Sequence, residues 1–137
     1  MKKAHDTFLH FLSDNLSGIA VHPIRDDPDR VEAASFKQNA LNVEFLDAKY
    51  DPHVCVLTVS LDLIHTSQIT ALDWLTTIGA QLSSAFYTPL LDYAAPATPV
   101  SAGSNLMWDR DSINFRKVAS DHYAHYSCRL RLRFYPS

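Results

Sequence analysis

Seven histidines and two cysteines are the side chains of this sequence that most directly suggest chemistry, because imidazole and thiolate are common protein ligands of zinc. Their spacing does not support such a site. His122 and His125 are three residues apart in a segment that reads as a strand, which places them on opposite faces. His5 and His10 are five residues apart and miss the i, i+4 spacing of a helical ligand pair. With no Cys-x-x-Cys motif beside them, we expect ordinary histidines and no metal.

Other catalytic patterns are also missing. The acidic segment 26–29 lacks the glycine and distal glutamate of a calcium-binding loop, and its proline interrupts the alternation of ligands. There is no Gly-x-Ser-x-Gly elbow, and three glycines cannot build a phosphate-binding loop. Cys55 and Cys128 lie in apolar runs and are expected to be buried, reduced thiols. We therefore expect no enzyme activity, catalytic residue or cofactor, although folding could still bring a pair of carboxylates together.

Three arginines form the one polar feature with a direction. Arg129, Arg131 and Arg133 alternate with apolar residues, so they project from one face of a strand about 7 Å apart. Glu44 and Asp62 are expected on the same polar face and could pair with them. Alternatively, the arginine face meets an acidic partner surface or lines a channel that nucleic acid crosses.

A second candidate contact lies in residues 87–104, which read as a long connection with three prolines. Apolar side chains within a loose connection are expected to bury against something, such as a neighbouring subunit. These side chains are Tyr87, Leu90, Leu91 and Tyr93.

Composition places these features in a single domain covering residues 1–137. Hydrophobic residues make up 47% and charged residues 20%, which suffices for one core without disulfide or metal. The net charge of −3 gives no overall attraction to nucleic acid. Polar residues interrupt the N-terminal apolar run, and no run approaches the ~20 residues of a membrane span. We expect an intracellular protein without a membrane contact.

The first half of the chain reads as a helix and three strands. Apolar spacing predicts a helix over 4–17, which Gly18 would end. A short strand over 19–24 contains Pro23 and is therefore expected at an edge or at its last residue. After a loop over 25–38, alternating segments at 39–47 and 54–65 predict an antiparallel hairpin.

The second half begins with the strongest predicted helix, capped by Thr66 or Ser67 and running to about Phe86. Its inward stripe is expected to contain Ile69, Leu72, Leu75, Gly79, Leu82 and Phe86, with Ile78 beside it. After the 87–104 connection, two strands at about 105–119 and 122–135 close the chain. The predicted fold is α+β: a mostly antiparallel mixed sheet of about four to five strands with two helices on one face.

This order of elements resembles the tail-terminator family of tailed bacteriophages, which includes the minor tail protein U of lambda-like phages. The likeness is carried by Val54 to Leu63 running into Thr66 to Phe86, and by the ending His122 to Tyr135; it covers most of the chain. Related neck or tail-completion proteins are the alternative within this resemblance.

The resemblance implies a structural virion protein that forms a homohexameric ring on the tail tube, ends tube polymerisation and joins tail to neck or head. Its partners would be itself, tail tube, possibly sheath, and a neck or head-completion protein, with DNA only as cargo through the lumen. The protein would be found in the virion, and in the host cytoplasm during assembly. One alternative is a small cytoplasmic binding domain or enzyme with a cleft under residues 87–104. Another is an accessory nucleic-acid binder that uses the arginine face.

Overall fold

The computed structural model describes residues 2–24, 36–92, 100–120 and 123–135 and has an α+β architecture. Its elements in chain order are α1 (Lys2–Asn15), β1 (Val21–Ile24), β2 (Ala40–Tyr50), β3 (Cys55–His65), α2 (Gln68–Ser84), β4 (Tyr87–Asp92), β5 (Val100–Trp108), a 3-10 turn (Arg110–Ser112), β6 (Arg116–Val118) and β7 (Ala124–Phe134).

The strands form one mixed sheet in the order β1-β2-β3-β7-β5-β4. The short β6 lies outside this order and pairs with the part of β7 that β5 does not reach, on the edge away from β3. β1 runs parallel to β2, and the other pairs are antiparallel, including the expected β2–β3 hairpin. The expectation of four to five strands was too low, because the described residues alone form seven. Register shifts in β2 and β4 interrupt the ladders, and such bulges increase the twist of a sheet. The sheet curls into an open half-barrel.

The prediction that residues 87–104 form a long connection is wrong for the part described. β4 and β5 pair as antiparallel strands, from Tyr87 opposite Met107 to Asp92 opposite Val100. Residues 93–99 lie outside the described residues. Proline had argued against a strand here, but Pro89 lies next to a register shift in β4, the last strand of the sheet, where a missing N–H costs no central ladder bond.

The two C-terminal strands are also divided differently from the prediction. The segment expected as one strand over 105–119 is the end of β5, a 3-10 turn and the short β6. The last strand agrees with its alternation: from Tyr126 to Phe134 every second side chain is buried. These buried side chains lie on the same side of the sheet as the apolar side chains of the neighbouring β3, among which Leu57 and Leu61 are fully buried.

Helix α1 packs as its apolar spacing predicts. Phe8, Leu12 and Leu16 are buried in the core, and Leu9 and Phe11 are partly buried against it. Gly18 follows the helix with φ of 80°, a conformation that costs least for glycine.

Helix α2 is rotated relative to the prediction. Ser67 caps it as expected, its Oγ accepting a hydrogen bond from the Thr70 N–H at 3.3 Å. Its buried side chains are Ala71, Ile78 and Leu82, whereas Ile69 and Leu72, both expected inside, are exposed. Of the other side chains expected inside, Leu75 is partly buried and Phe86 is exposed. A Cβ at Gly79 would meet nothing within 4 Å, so this glycine is not required for close packing.

The helices contact different parts of the curled sheet. α1 packs against β4, β1 and β5, and α2 packs against β3, although both contribute to the same core. The expectation of two helices packed on one face of the sheet is therefore not supported. Trp108 in β5 joins the two helices: its ring contacts Phe8 and Phe11, and its Nε1 donates to the Leu82 carbonyl at 2.8 Å.

Candidate interaction surfaces

The arginine row occupies the outer side of the sheet, on β7. Arg129, Arg131 and Arg133 lie opposite Ser60, Thr58 and Val56 of β3. Arg129 and Arg131 are exposed, and no ion pair among the described residues includes either of them.

The third arginine is half-buried and does have an acidic partner. Arg133 donates from Nη1 to Oδ1 of Asp109 at 3.0 Å. Sequence reasoning had offered Glu44 and Asp62 as the counter-ions of the row. Neither is within ion-pair distance of an arginine among the described residues.

Asp62 belongs instead to a buried polar network. The Asp62 carboxylate contacts two other side chains of this network. Its Oδ1 lies 2.8 Å from Nε2 of His125, and its Oδ2 accepts a 2.8 Å hydrogen bond from the Ser60 hydroxyl. The ring of Phe36 packs edge-on against His125, with centroids 5.5 Å apart. The order of the three groups is serine, aspartate, histidine, which differs from a nucleophilic triad, because there the histidine stands between the other two and accepts the serine proton.

Asn42 closes the same end of the outer face. Its Oδ1 accepts from the Lys37 N–H, and its Nδ2 donates to the carbonyls of Lys37 and Asp62, all within 2.8–3.2 Å. No described buried side-chain nitrogen or oxygen lacks a hydrogen-bond partner. The network therefore has the features of a structural cluster, with its polar atoms directed at each other.

A groove of about 550 Å³ lies along β7 between the 3-10 turn and β6. It is lined by Asp111, Ser112, Asn114, Arg116, Val118, Ser127 and Arg129. The groove exists because β7 pairs with β6 at residues 125–127 and with β5 at residues 132–133, which leaves the strand between them without a partner on that side.

The outer face of α2 is apolar and almost without charge. Ile69 is 77% exposed and Leu72 is 48% exposed, and Asp73 is the only charged residue in the helix. Thr76 and Ala80 continue the exposed row at helical spacing. Solvent-facing helix surfaces normally carry charged and polar side chains, and depletion of charge is typical of the centre of a protein–protein interface.

Beyond the end of α2, two aromatic rings are exposed. Phe86 and Tyr87 are 43% and 50% exposed and meet edge to face at 5.0 Å. The Arg110 guanidinium lies over the Phe86 ring at 5.0 Å from its centroid.

The remaining contact candidates of the 87–104 segment have different environments. Leu90 is a core residue, only 4% exposed. Leu91 is partly buried, and its backbone N–H and carbonyl both bond to the Thr7 hydroxyl of α1. Tyr93 lies outside the described residues.

The described histidines and cysteines do not cluster. No group of three metal-binding side chains is found in the described part of the chain. Cys55 and Cys128 are free and buried, and burial raises the pKa of the Cys128 thiol, which keeps it protonated and unreactive. Burial lowers the pKa of His5, which stacks on the Phe45 ring at 3.8 Å.

Comparison of the sequence with models of protein families and with curated proteins gives no match. Among the described residues, no helix is long and apolar enough to cross a membrane.

Sequence reasoning missed two features of these surfaces. It assigned Ile69 and Leu72 to the core, although the near absence of charge in α2 was visible and could have suggested an interface on its outer face. It also missed Asp47, because a register shift after Phe45 places this residue opposite Thr58, and the alternation of residues gives no sign of that shift.

Proposed function

We propose that this protein is a structural virion subunit that forms a ring on the end of a phage tail tube, ends tube polymerisation and joins the tail to the neck or head. The proposal combines the resemblance to the tail-terminator family, whose rings are hexameric, with the surface of α2. The single observation that carries it is the exposed Ile69–Leu72 face on a helix with one charged residue. An apolar surface of this kind is stable in solution when a partner covers it.

A ring needs two different surfaces on each subunit. In a cyclic assembly the contact is head to tail, so the α2 face of one copy meets another part of the next copy. The two ends of the ring then differ, and we assign them to the tail tube, possibly with sheath, and to a neck or head-completion protein. DNA would be cargo in the lumen. This role requires binding surfaces and neither catalysis nor a cofactor, and it places the protein in the virion after assembly in the host cytoplasm.

The test is the mass of purified protein by light scattering over a wide concentration range, alone and with a phage tail-tube protein. We expect a ring-sized mass, either alone or on addition of tube. Leu72→Lys should abolish the ring, because a buried lysine without a partner opposes association.

Thr77→Lys is the matched control, since Thr77 is exposed on α2 but lies about 140° around the helix from Leu72. This variant should assemble like the wild type. A wild-type protein that stays monomeric at every concentration and ignores tube protein would refute the ring.

A small binding domain is the second candidate, and the groove beside β7 favours it. Arg116 and Arg129 line this groove together with hydroxyl and amide groups, and these two cations outnumber the single carboxylate of Asp111, which suits a small anionic ligand. The sequence had suggested a cleft under residues 87–104; this groove lies elsewhere. The candidate predicts a stable monomer and saturable ligand binding that Arg116→Ala weakens.

A further inference from the structure

The outer face of the sheet carries two parallel columns of opposite charge. Glu44 pairs across the ladder with Ser60, which pairs with Arg129. One step along the strands, Asp47 lies opposite Thr58, which lies opposite Arg131. Directly opposed residues of a ladder project from the same side of a sheet. An acidic column on β2 and a basic column on β7 therefore flank the small hydroxyl side chains of β3. We call these four charged residues and the hydroxyls between them the dipolar face.

A β-bulge creates the second acidic position. The register shifts between Phe45 and Asp47, so that Leu46 is the extra residue of β2. In an uninterrupted ladder Leu46 would lie opposite Thr58; the bulge puts Asp47 there instead. Bulges commonly re-aim a side chain at a functional surface.

Among the described residues, the two columns are not paired with each other within one subunit. Neighbouring strands are about 4.8 Å apart, so β2 and β7 are separated by roughly 10 Å across β3. No described ion pair includes Glu44, Asp47, Arg129 or Arg131. Each column therefore presents like charges to an external partner.

We propose that the dipolar face binds the dipolar face of a second copy of this chain. A two-fold axis parallel to β3 places the β2 column of each copy over the β7 column of the other. Glu44 then faces the second copy's Arg129, and Asp47 faces its Arg131, which gives four ion pairs. A two-fold axis perpendicular to β3 in the same plane would set acid against acid. The charge pattern thus selects one of the two arrangements.

The cross-strand rows of residues at either end of the dipolar face are compatible with this pairing. At one end, Asn42 and Asp62 are already bonded within the subunit. At the other end, Lys49 would approach the second copy's Arg133, but Arg133 is held by Asp109 at 3.0 Å, which reduces that repulsion.

Nucleic acid is a poorer partner for this face than a second copy. A phosphate backbone that followed Arg129 and Arg131 would run about 10 Å from Glu44 and Asp47, and the two carboxylates would repel it. The proposal does not depend on the ring described above, because that contact uses α2 and this one uses the outer face of the sheet.

The experiment uses complementary charge reversals in the full chain carrying Leu72→Lys, so that ring formation does not obscure the result. One variant has a wholly basic face, Glu44→Arg with Asp47→Arg. The other has a wholly acidic face, Arg129→Glu with Arg131→Glu. Self-association is measured by sedimentation at low and high salt.

The parent should form a dimer that high salt weakens, as expected of exposed ion pairs. Each reversed variant alone should dimerise at least roughly tenfold more weakly. Mixing the two variants in equal amounts should restore a one-to-one dimer. Asp14→Arg with Asp73→Arg makes the same change in net charge outside the dipolar face and should dimerise like the parent. Circular dichroism and thermal unfolding confirm that each variant is folded.

The proposal fails if the parent is monomeric, if the reversed variants dimerise like the parent, or if their mixture does not associate. A monomeric parent that binds a duplex oligonucleotide, and loses it on Arg131→Glu, would assign the face to nucleic acid. Because ring formation is tested separately through Leu72, either proposal can fail without the other.

Discussion

Replacing Asp62 with alanine should be among the most destabilising single changes on the outer face. The carboxylate is 5% exposed and makes two hydrogen bonds of 2.8 Å, to Ser60 and to His125. Its removal leaves the serine hydroxyl and the histidine Nε2 without these partners in a buried setting. Each orphaned group costs about 1–3 kcal/mol, so for the two groups we expect a loss of about 2–6 kcal/mol. That is a large share of the ~5–15 kcal/mol by which domains of this size are stable.

The assay is urea unfolding followed by tryptophan fluorescence. Asp73→Ala is the matched control, because its carboxylate is exposed on α2 and its loss should change stability by less than about 0.5 kcal/mol. A double-mutant cycle with His125→Ala should give a coupling energy of about 1–3 kcal/mol. If Asp62 instead served as the counter-ion of the arginine row, the coupling would be to Arg129, the arginine nearest to it in the ladder. Asp62→Ala within about 0.5 kcal/mol of wild type, or coupling to Arg129 and not to His125, would refute the network.

Two further changes test the core and its pH dependence. Trp108→Phe removes the hydrogen bond to the Leu82 carbonyl and part of a fully buried ring, so it should lower the free energy of unfolding by about 2–3 kcal/mol in urea. The same change at the half-buried Trp74 should cost clearly less. Equal losses would contradict the assignment of Trp108 to the core. Burial lowers the pKa of His5 below its usual 6.5, so the unfolded chain binds the proton more tightly, and stability should fall as pH drops below about 6.5 and level off beneath the folded pKa. Replacing His5 with phenylalanine keeps an aromatic ring against Phe45 and should make the urea midpoint less sensitive to pH between 5 and 7.5. An unchanged pH profile would show that the pH dependence of stability does not come from His5.

Elements with a strong local signal could be predicted from the sequence. The spacing of Phe8, Leu12 and Leu16 identifies the buried side of α1, and the hydroxyl of Ser67 marks the start of α2. The alternation of β7 identifies both its buried side and its arginine row. These signals are periodic or chemical and depend little on distant parts of the chain.

The missed strands depend on position within the sheet. The proline and small residues around β4 and β5 argue against a strand mainly where that strand must pair with a neighbour along both of its edges. β4 is the last strand of the sheet, and the hydroxyl of Thr7 satisfies the outward backbone groups of Leu91. The bulge at Leu46 was equally hidden, because residue types alone do not reveal a shift in register.

The errors on α2 have a different origin and bear on function. Reading apolar spacing as burial assumes that every apolar stripe faces the core of its own chain. In α2 the side chains of Ala71, Ile78 and Leu82 are buried in the core, while those of Ile69 and Leu72 face outward. Folding of the single chain does not require these exposed side chains, and polar residues at both sites would keep the helix and its core.

The same reasoning applies to the charges of the dipolar face. Uniform columns of Glu44 with Asp47 and of Arg129 with Arg131 add repulsion to an isolated subunit, whereas mixed columns would reduce it. Positions at which a sequence departs from what its own fold needs are expected where another requirement acts. In this chain such departures occur on α2 and on the outer face of the sheet, two separate surfaces. We therefore expect assembly through both, with apolar burial at one and ion pairing at the other, and high salt should weaken only the second.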